Sequence, residues 1–213
     1  ATVMTWEQEN FPAILNVWFG GCESGDAICD VLFGDKVPSG KLTATMPKSV
    51  GQIPLYYNHL NTGRPLKEGK WFSKFTSNYL DIDNDPLYPF GYGLSYTTFK
   101  YGKPTLSSNI MTNNETISVS VDITNTGNYD ADEIAQMYIR DLAASVSRPV
   151  KELKGFERIS IKKGETKTVT FTITPEDLKF YNQELEYKNE PGEFEVMVGP
   201  NSKDVQTLTF TLK

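Results

Sequence analysis

Ile117-Ser-Val-Ser-Val-Asp-Ile123 alternates apolar and polar side chains without a break, and Asn125-Thr-Gly-Asn128 follows it with turn chemistry. Successive side chains of a strand point to opposite faces, so this alternation puts Ile117, Val119, Val121 and Ile123 on one buried face. The pattern recurs downstream. Val169, Phe171 and Ile173 alternate with Thr168, Thr170, Thr172 and Thr174, a β-branched run suited to a pleated sheet with one wet face. Further strands are expected at 133–140, 150–161, 193–198 and 207–212. The turn signals between them are Ser147-Arg-Pro149, Lys163-Gly164, Pro191-Gly192 and Gly199-Pro-Asn201.

About seven strands in roughly 110 residues are the signature of an all-β sandwich of the immunoglobulin or fibronectin type III kind. The sandwich is expected over 100–213, with no catalytic machinery of its own. The residues before it are different in character: rich in Gly, Pro and aromatics, poor in alternation. Ala13 to Phe19 reads as a buried strand ending at Gly20-Gly21. Glu23 to Phe33 carries Ala27, Ile28, Val31 and Leu32 at helical spacing, with Ser24 as a candidate N-cap, Asp26 in the first turn and Gly34 as the stop. Lys41 to Met46 reads as another strand. Strand, helix, strand is one α/β unit, too little sheet to be stable without a partner. The fold class expected is therefore α+β: a partial α/β segment followed by an all-β sandwich.

Composition narrows the function. Formal net charge is −6 and the 21 Lys and Arg residues are scattered, which argues against nucleic acid and anionic membrane as partners. No run approaches the ~18 apolar residues of a membrane-spanning helix. The chain opens at Ala1 with no leader-like segment, as expected of a processed protein or a piece of a longer one. Cys22 and Cys29 would lie ~10 Å apart along a helix, too far for a disulfide, and read as small buried hydrophobes. With a single histidine, His59, a zinc site or a Ser-His-Asp triad has little to stand on, and no cofactor or metal is expected.

Several strings, in order, resemble one family. Asp30-Val-Leu-Phe-Gly-Asp35, Pro38-Ser-Gly-Lys-Leu42, Met46-Pro47, Ser49-Val-Gly-Gln-Ile-Pro54, Tyr57-Asn-His59 and Thr62-Gly-Arg-Pro65 resemble the C-terminal half of the second domain of family-3 glycoside hydrolases of the β-glucosidase type. Pro86-Leu-Tyr-Pro-Phe-Gly-Tyr-Gly-Leu-Ser-Tyr-Thr-Thr-Phe99 is similar to the segment leading into that family's fibronectin-type-III-like domain. Val150 to Phe156 and Gly192 to Gly199 resemble strands of that last domain.

The resemblance implies an enzyme in three parts: a barrel supplying an Asp nucleophile, an α/β sandwich supplying a Glu acid/base, and the β-sandwich tail. Its chemistry is retaining hydrolysis by two carboxylates ~5 Å apart. Both are expected upstream of Ala1, so no residue of this chain is assigned a catalytic role. The implied division is 1–70 for the end of the α/β domain, 71–99 for an aromatic-rich linker, and 100–213 for the sandwich. The implied partners are a β-linked glucoside or oligosaccharide in the intact enzyme and the N-terminal barrel, and the implied compartment is periplasmic or secreted.

Glu23, Arg64 and Trp71 are the candidate cleft residues. Glu23 sits after a strand, where α/β sheets place ligands, but a first-turn carboxylate is also simply favoured by the helix dipole. Arg64 could bond a sugar hydroxyl or pair with a carboxylate such as Asp81. Trp71, Phe72, Phe75, Tyr79 and Tyr88 could stack on sugars, although anchoring a loop to a neighbouring domain is the reading preferred. Asp81, Asp83 and Asp85 read as a solvated acidic loop, and Asn114-Glu-Thr116 as a polar turn. Two alternatives stay open: a stand-alone carbohydrate-binding or adhesion module, and a small protein that self-associates through its incomplete sheet. The incomplete sheet predicts that Ile14, Leu15, Val17, Ile28 and Leu32 are under-covered in a monomer.

Overall fold

The computed structural model describes residues 1–67 and 70–213. Its β content is concentrated in the sandwich, as the alternation dictates. Eleven strands follow in chain order: β1 (Phe99–Tyr101), β2 (Thr105–Leu106), β3 (Ile110–Met111), β4 (Ile117–Asn125), β5 (Ala131–Asp141), β6 (Glu152–Ile161), β7 (Thr166–Ile173), β8 (Phe180–Tyr181), β9 (Tyr187–Lys188), β10 (Gly192–Gly199) and β11 (Gln206–Leu212). In one sheet β4 pairs with β7 on one edge and with β1 and β2 on the other; the second sheet runs β3-β11-β10-β5-β6, and β8 and β9 form a small hairpin. All the pairings are antiparallel except β3 with β11.

The core lies between the two sheets. Val119, Val121 and Ile123 of β4 meet Val169, Phe171 and Ile173 of β7 on one side, and Met137, Ile139, Phe194, Val196 and Phe210 of the second sheet on the other. Phe194 and Phe210 are register partners on β10 and β11, with ring centroids 5.5 Å apart and planes 18° from parallel. The wet faces are stitched by cross-strand hydroxyls: Ser120 to Thr170 and Thr124 to Thr166, each 2.8 Å.

Asp132 on β5 and Ser160 on β6 are also register partners, and the Ser160 hydroxyl donates to the Asp132 carboxylate. Arg158 adds Nη2 at 2.6 Å. The Ser160 bond first, then the Arg158 guanidinium, holds the Asp132 carboxyl below its ordinary value of 3.8. A lowered folded-state value stabilises the fold above the unfolded value, and this stabilisation is lost as pH falls through the folded one. Ser160→Ala is therefore expected to melt lower than wild type at about pH 6, with the gap shrinking as pH drops below ~3.8. Thermal scans of both proteins across that range check it.

The helices sit at the N-terminal end: α1 (Thr5–Asn10), which the sequence pattern did not announce, and α2 (Ser24–Phe33). α2 ends as expected at Gly34, whose φ of 85° gives the left-handed C-cap, its N–H donating to the Val31 carbonyl at 3.2 Å. Its N-cap is Glu23 rather than Ser24, with no side-chain capping bond. Residues 13–19 form no strand. Trp18 adopts φ 45°, which breaks an extended run, and no strand among the described residues lies alongside to pair with it. Lys41 to Met46 is extended but pairs elsewhere than expected. Leu42 and Met46 exchange backbone hydrogen bonds of 2.8–3.2 Å with Tyr92, Gly91, Tyr88 and Leu87.

Several apolar side chains at this end lie open to solvent, as an unfinished sheet requires. Ile14, Leu15, Val17 and Leu32 are exposed, as are Phe19 and Phe33, while Ile28 is half-buried. The same openness overturns the expectation for the cysteines: Cys22 and Cys29 are free and exposed, on sides of the turn and helix that no described residue covers.

Candidate functional site

β5 departs from simple alternation. Every residue from Ala135 to Ile139 is buried, so both faces of the strand are covered. The inner face meets the core; the outer face, with Gln136 and Tyr138, is covered by the segment 41–93. Tyr57 stacks on Phe90 with centroids 4.3 Å apart and meets Tyr138 edge-on at 5.8 Å. Its hydroxyl accepts from the Leu153 N–H at 3.3 Å. Gln136 Nε2 donates to the Gly91 and Pro200 carbonyls at 3.1 and 2.6 Å, while its Oε1 accepts from the Tyr138 hydroxyl at 2.5 Å. Gly91 sits at φ 79°, and a Cβ there would fall 2.0 Å from Gln136 Oε1, so only glycine allows this approach.

A buried charge network sits beside these contacts. Lys41 Nζ lies 3.2 Å from both carboxylate oxygens of Glu133, and the side chains are 11% and 4% exposed. Lys41 also donates to the Gly93 carbonyl, and the Tyr101 hydroxyl donates to Glu133 at 2.9 Å. Burial, then the Glu133 charge, pushes the Tyr101 phenol far above its ordinary range. Two more exposed pairs tie the acidic loop down. Lys48 holds Asp83 at 2.7 Å and Lys203 holds Asp85 at 2.8 Å; the Asp85 hydrogen bond raises the Lys203 ammonium above its usual value. Asp83 and Asp85 thus form ion pairs that stay open to solvent.

Between this segment and the edge of the sandwich lies an open cavity of about 1070 Å³. Tyr56 and Trp71 give it aromatic faces; Asn61, Thr62 and Asn78 give it amides and a hydroxyl; Val150 and Lys151 close it on the sandwich side. Its two carboxylates, Asp83 and Asp85, are the ones held by lysines. Among the described residues no three His, Cys, Asp or Glu side chains cluster as a metal site would need.

Of the three candidate residues, Trp71 lines the cavity and packs beside Phe72 at 5.7 Å between centroids. Arg64 is exposed, and its main-chain carbonyl accepts from the Ser77 N–H at 2.8 Å. Glu23 stands at the start of α2, exposed. Neither Arg64 nor Glu23 is in the cavity wall, so the structure does not bring the three together. Tyr57, Gln136 and Lys41, which organise the region, were not singled out by sequence reasoning. The strings Tyr57-Asn-His59 and Pro38-Ser-Gly-Lys-Leu42 were the available signals for Tyr57 and Lys41; an isolated Gln offers none.

Two family patterns lie in order along this chain. Residues 1–96 match the glycosyl hydrolase family 3 C-terminal domain, and residues 133–202 match the fibronectin type III-like domain. Fold and pattern together place the chain among the glycoside hydrolases. A periplasmic beta-glucosidase of Salmonella typhimurium is 54% identical over 206 residues, 97% of this chain and 27% of the relative. A beta-xylosidase of Formosa agariphila is 47% identical over 96% of this chain and 28% of the relative. The crystal structure of a Listeria innocua beta-glucosidase in complex with gluconolactone superposes with a TM-score of 0.92 at 44% identity, covering 98% of this chain and 29% of that one. The same Listeria enzyme has been solved with glucose, and a D270A mutant of it with laminaribiose. The chain belongs to glycosyl hydrolase family 3, corresponds to the C-terminal part of its β-glucosidase-like members, and spans a little over a quarter of the length of these relatives.

Proposed function

We propose that this chain is the clamp of a retaining β-glucosidase: it holds the end of the α/β domain against the sandwich while carboxylates outside the chain hydrolyse β-linked glucosides. The observation that carries the reading is the buried Lys41–Glu133–Tyr101 network, which joins segments 92 and 32 residues apart in sequence and fixes the α/β end on the second sheet. On this reading the chain divides at 1–70, 71–99 and 100–213. The exposed apolar surface of α2 and residues 13–19 meets the rest of the α/β domain, and the N-terminal barrel lies beyond it. Glu23, Arg64 and Trp71 then contribute to the walls of the substrate cleft. A periplasmic or secreted location follows the Salmonella relative's name. The comparisons favour this enzyme reading over a free-standing binding module.

The test is a graft. Replacing the matching segment of the Salmonella relative by this chain should give a protein that hydrolyses an aryl β-glucoside, whereas the 213-residue chain alone should show no turnover above a heat-killed control. Turnover by the chain alone, or a folded but inactive graft, would overturn the proposal.

A further inference from the structure

We infer that the outer face of the β8–β9 hairpin is a platform for a soluble β-glucan chain. Elsewhere on the sandwich the exposed large apolar side chains stand one to an element: Ile110 on β3, Tyr129 in the β4–β5 turn, Leu142 after β5 and Phe156 on β6. The hairpin gathers three, Tyr181, Leu185 and Tyr187.

The two short strands explain the arrangement. Phe180 of β8 is buried, and the Arg148 guanidinium lies over its ring, 4.4 Å from the centroid. Side chains alternate along a strand, so Tyr181 is turned the other way. Tyr187 is its register partner on β9, and side chains directly opposite in an antiparallel pair share a face. The two rings accordingly meet, with centroids 5.1 Å apart and planes tilted by 46°. Their contact steadies the hairpin, yet Tyr181 stays 67% and Tyr187 50% exposed, so it accounts for the lesser part of each side chain. The turn that joins the strands is pinned from inside. Asn182, itself buried, accepts through Oδ1 from the Glu184 and Glu186 N–H groups at 3.1 and 2.9 Å, and its own N–H donates to the Glu186 carbonyl at 3.1 Å. Asn189 Nδ2 ties the far end to the Pro175 carbonyl at 3.1 Å. The rings are therefore presented in a fixed geometry before any ligand arrives.

The surroundings select the occupant. Glu186 is paired with Lys188 and Glu176 with Lys179, each at 2.6 Å, while Glu184 adds a further carboxylate, which disfavours an anion. The cation position over Tyr187 is already taken by Lys179 Nζ, 5.9 Å from the ring centroid. Two tyrosines offer roughly 150–250 Å² each when wholly free, well short of the ~800 Å² per partner of a stable protein interface. A neutral pyranose fits what is left: its C–H face lies against a ring, and its hydroxyls meet phenol tips that both donate and accept. The 46° tilt makes a shallow V rather than a floor. A flexible soluble chain can lay successive units on both rings, whereas the plane of a crystalline polymer meets one. The choice of β-linked glucose rests on the function proposed above, since an enzyme that hydrolyses β-glucosides is served by a second hold on the chain being cut.

Affinity electrophoresis of the 213-residue chain in gels cast with laminarin, a soluble β-1,3-glucan, tests it. The wild type should be retarded relative to a gel without polysaccharide. Tyr181→Ala and Tyr187→Ala should each weaken the apparent affinity about fivefold, the order expected for loss of one stacked ring. Tyr181→Phe keeps the ring and should keep most of the retardation, which guards against a fold lost in the alanine variants. Tyr129→Ala removes an exposed tyrosine elsewhere on the sandwich and should migrate as wild type. Absence of retardation, or retardation unchanged when both hairpin tyrosines are alanine, would leave the pair a hairpin brace and overturn the inference. Retardation lost equally in Tyr129→Ala would overturn it as well, as would wild-type self-association in sedimentation that Tyr181→Ala abolishes. Turnover plays no part in the readout, so a platform that fails leaves the clamp reading standing, and an inactive graft leaves measured retardation standing.

Discussion

Lys41→Met is expected to destabilise the chain by about 3–5 kcal/mol, the usual cost of leaving one member of a buried ion pair without the other. Glu133 is 4% exposed on its side chain and, among the described residues, would keep the Tyr101 hydroxyl alone as side-chain partner. A carboxylate in that position either stays charged at high cost or takes up a proton, and both routes weaken the clamp. The double variant Lys41→Met with Glu133→Leu should recover most of the loss, because an apolar pair of similar volume removes the stranded charge. Urea unfolding of wild type, single and double variants measures all three. Equal midpoints for wild type and Lys41→Met would show that the pair contributes nothing.

Phe194→Ala is expected to cost about 3–5 kcal/mol by a different route, the loss of apolar contact plus the cavity it leaves. Phe194 is fully buried and lies nearly parallel to Phe210 across the β10–β11 pair, so both strands lose a neighbour. Against a typical total stability of ~5–15 kcal/mol, either substitution removes a large share. Hydrogen exchange separates the two. Phe194→Ala should speed exchange throughout β4, β5, β7 and β10, which share one core, whereas Lys41→Met should speed it chiefly at Leu42, Met46 and Gly91, whose amides bond within the clamp. Uniform acceleration in both variants would mean that clamp and sandwich open as one unit.

The sandwich was legible because its long strands keep one face wet. Each of the six expected strands appears, most shifted by one or two residues at an end, and the alternation of β4 and β7 maps directly onto their burial. The short strands β1, β2 and β3, two or three residues each, offer too few positions for a period to show. β5 was found, but its covered outer face was not legible, because Gln136 and Tyr138 are polar-tipped residues buried only by the clamp. The clamp itself carries no period. Its order comes from single hydrogen bonds and ring contacts between residues far apart in sequence, such as Leu42 to Tyr92 and Lys41 to Glu133. The strand expected at 13–19 failed for a physical reason of another kind, since a sheet segment without a neighbour has nowhere to send its backbone hydrogen bonds. Of the candidate site, Trp71 was legible as an exposed aromatic, while the hairpin holding Tyr181 and Tyr187 had no motif to mark it.

The doubly covered β5 bears on how such a chain can be inherited. A sandwich severed just before Phe99 would carry Gln136 and Tyr138 into water, along with Met197 from the neighbouring strand, all of them buried in the whole chain. The portable unit is therefore longer than the sandwich. It begins near Lys41, so recombination that shuffles the β-domain between enzymes must carry about sixty preceding residues with it or rebuild an outer surface from nothing.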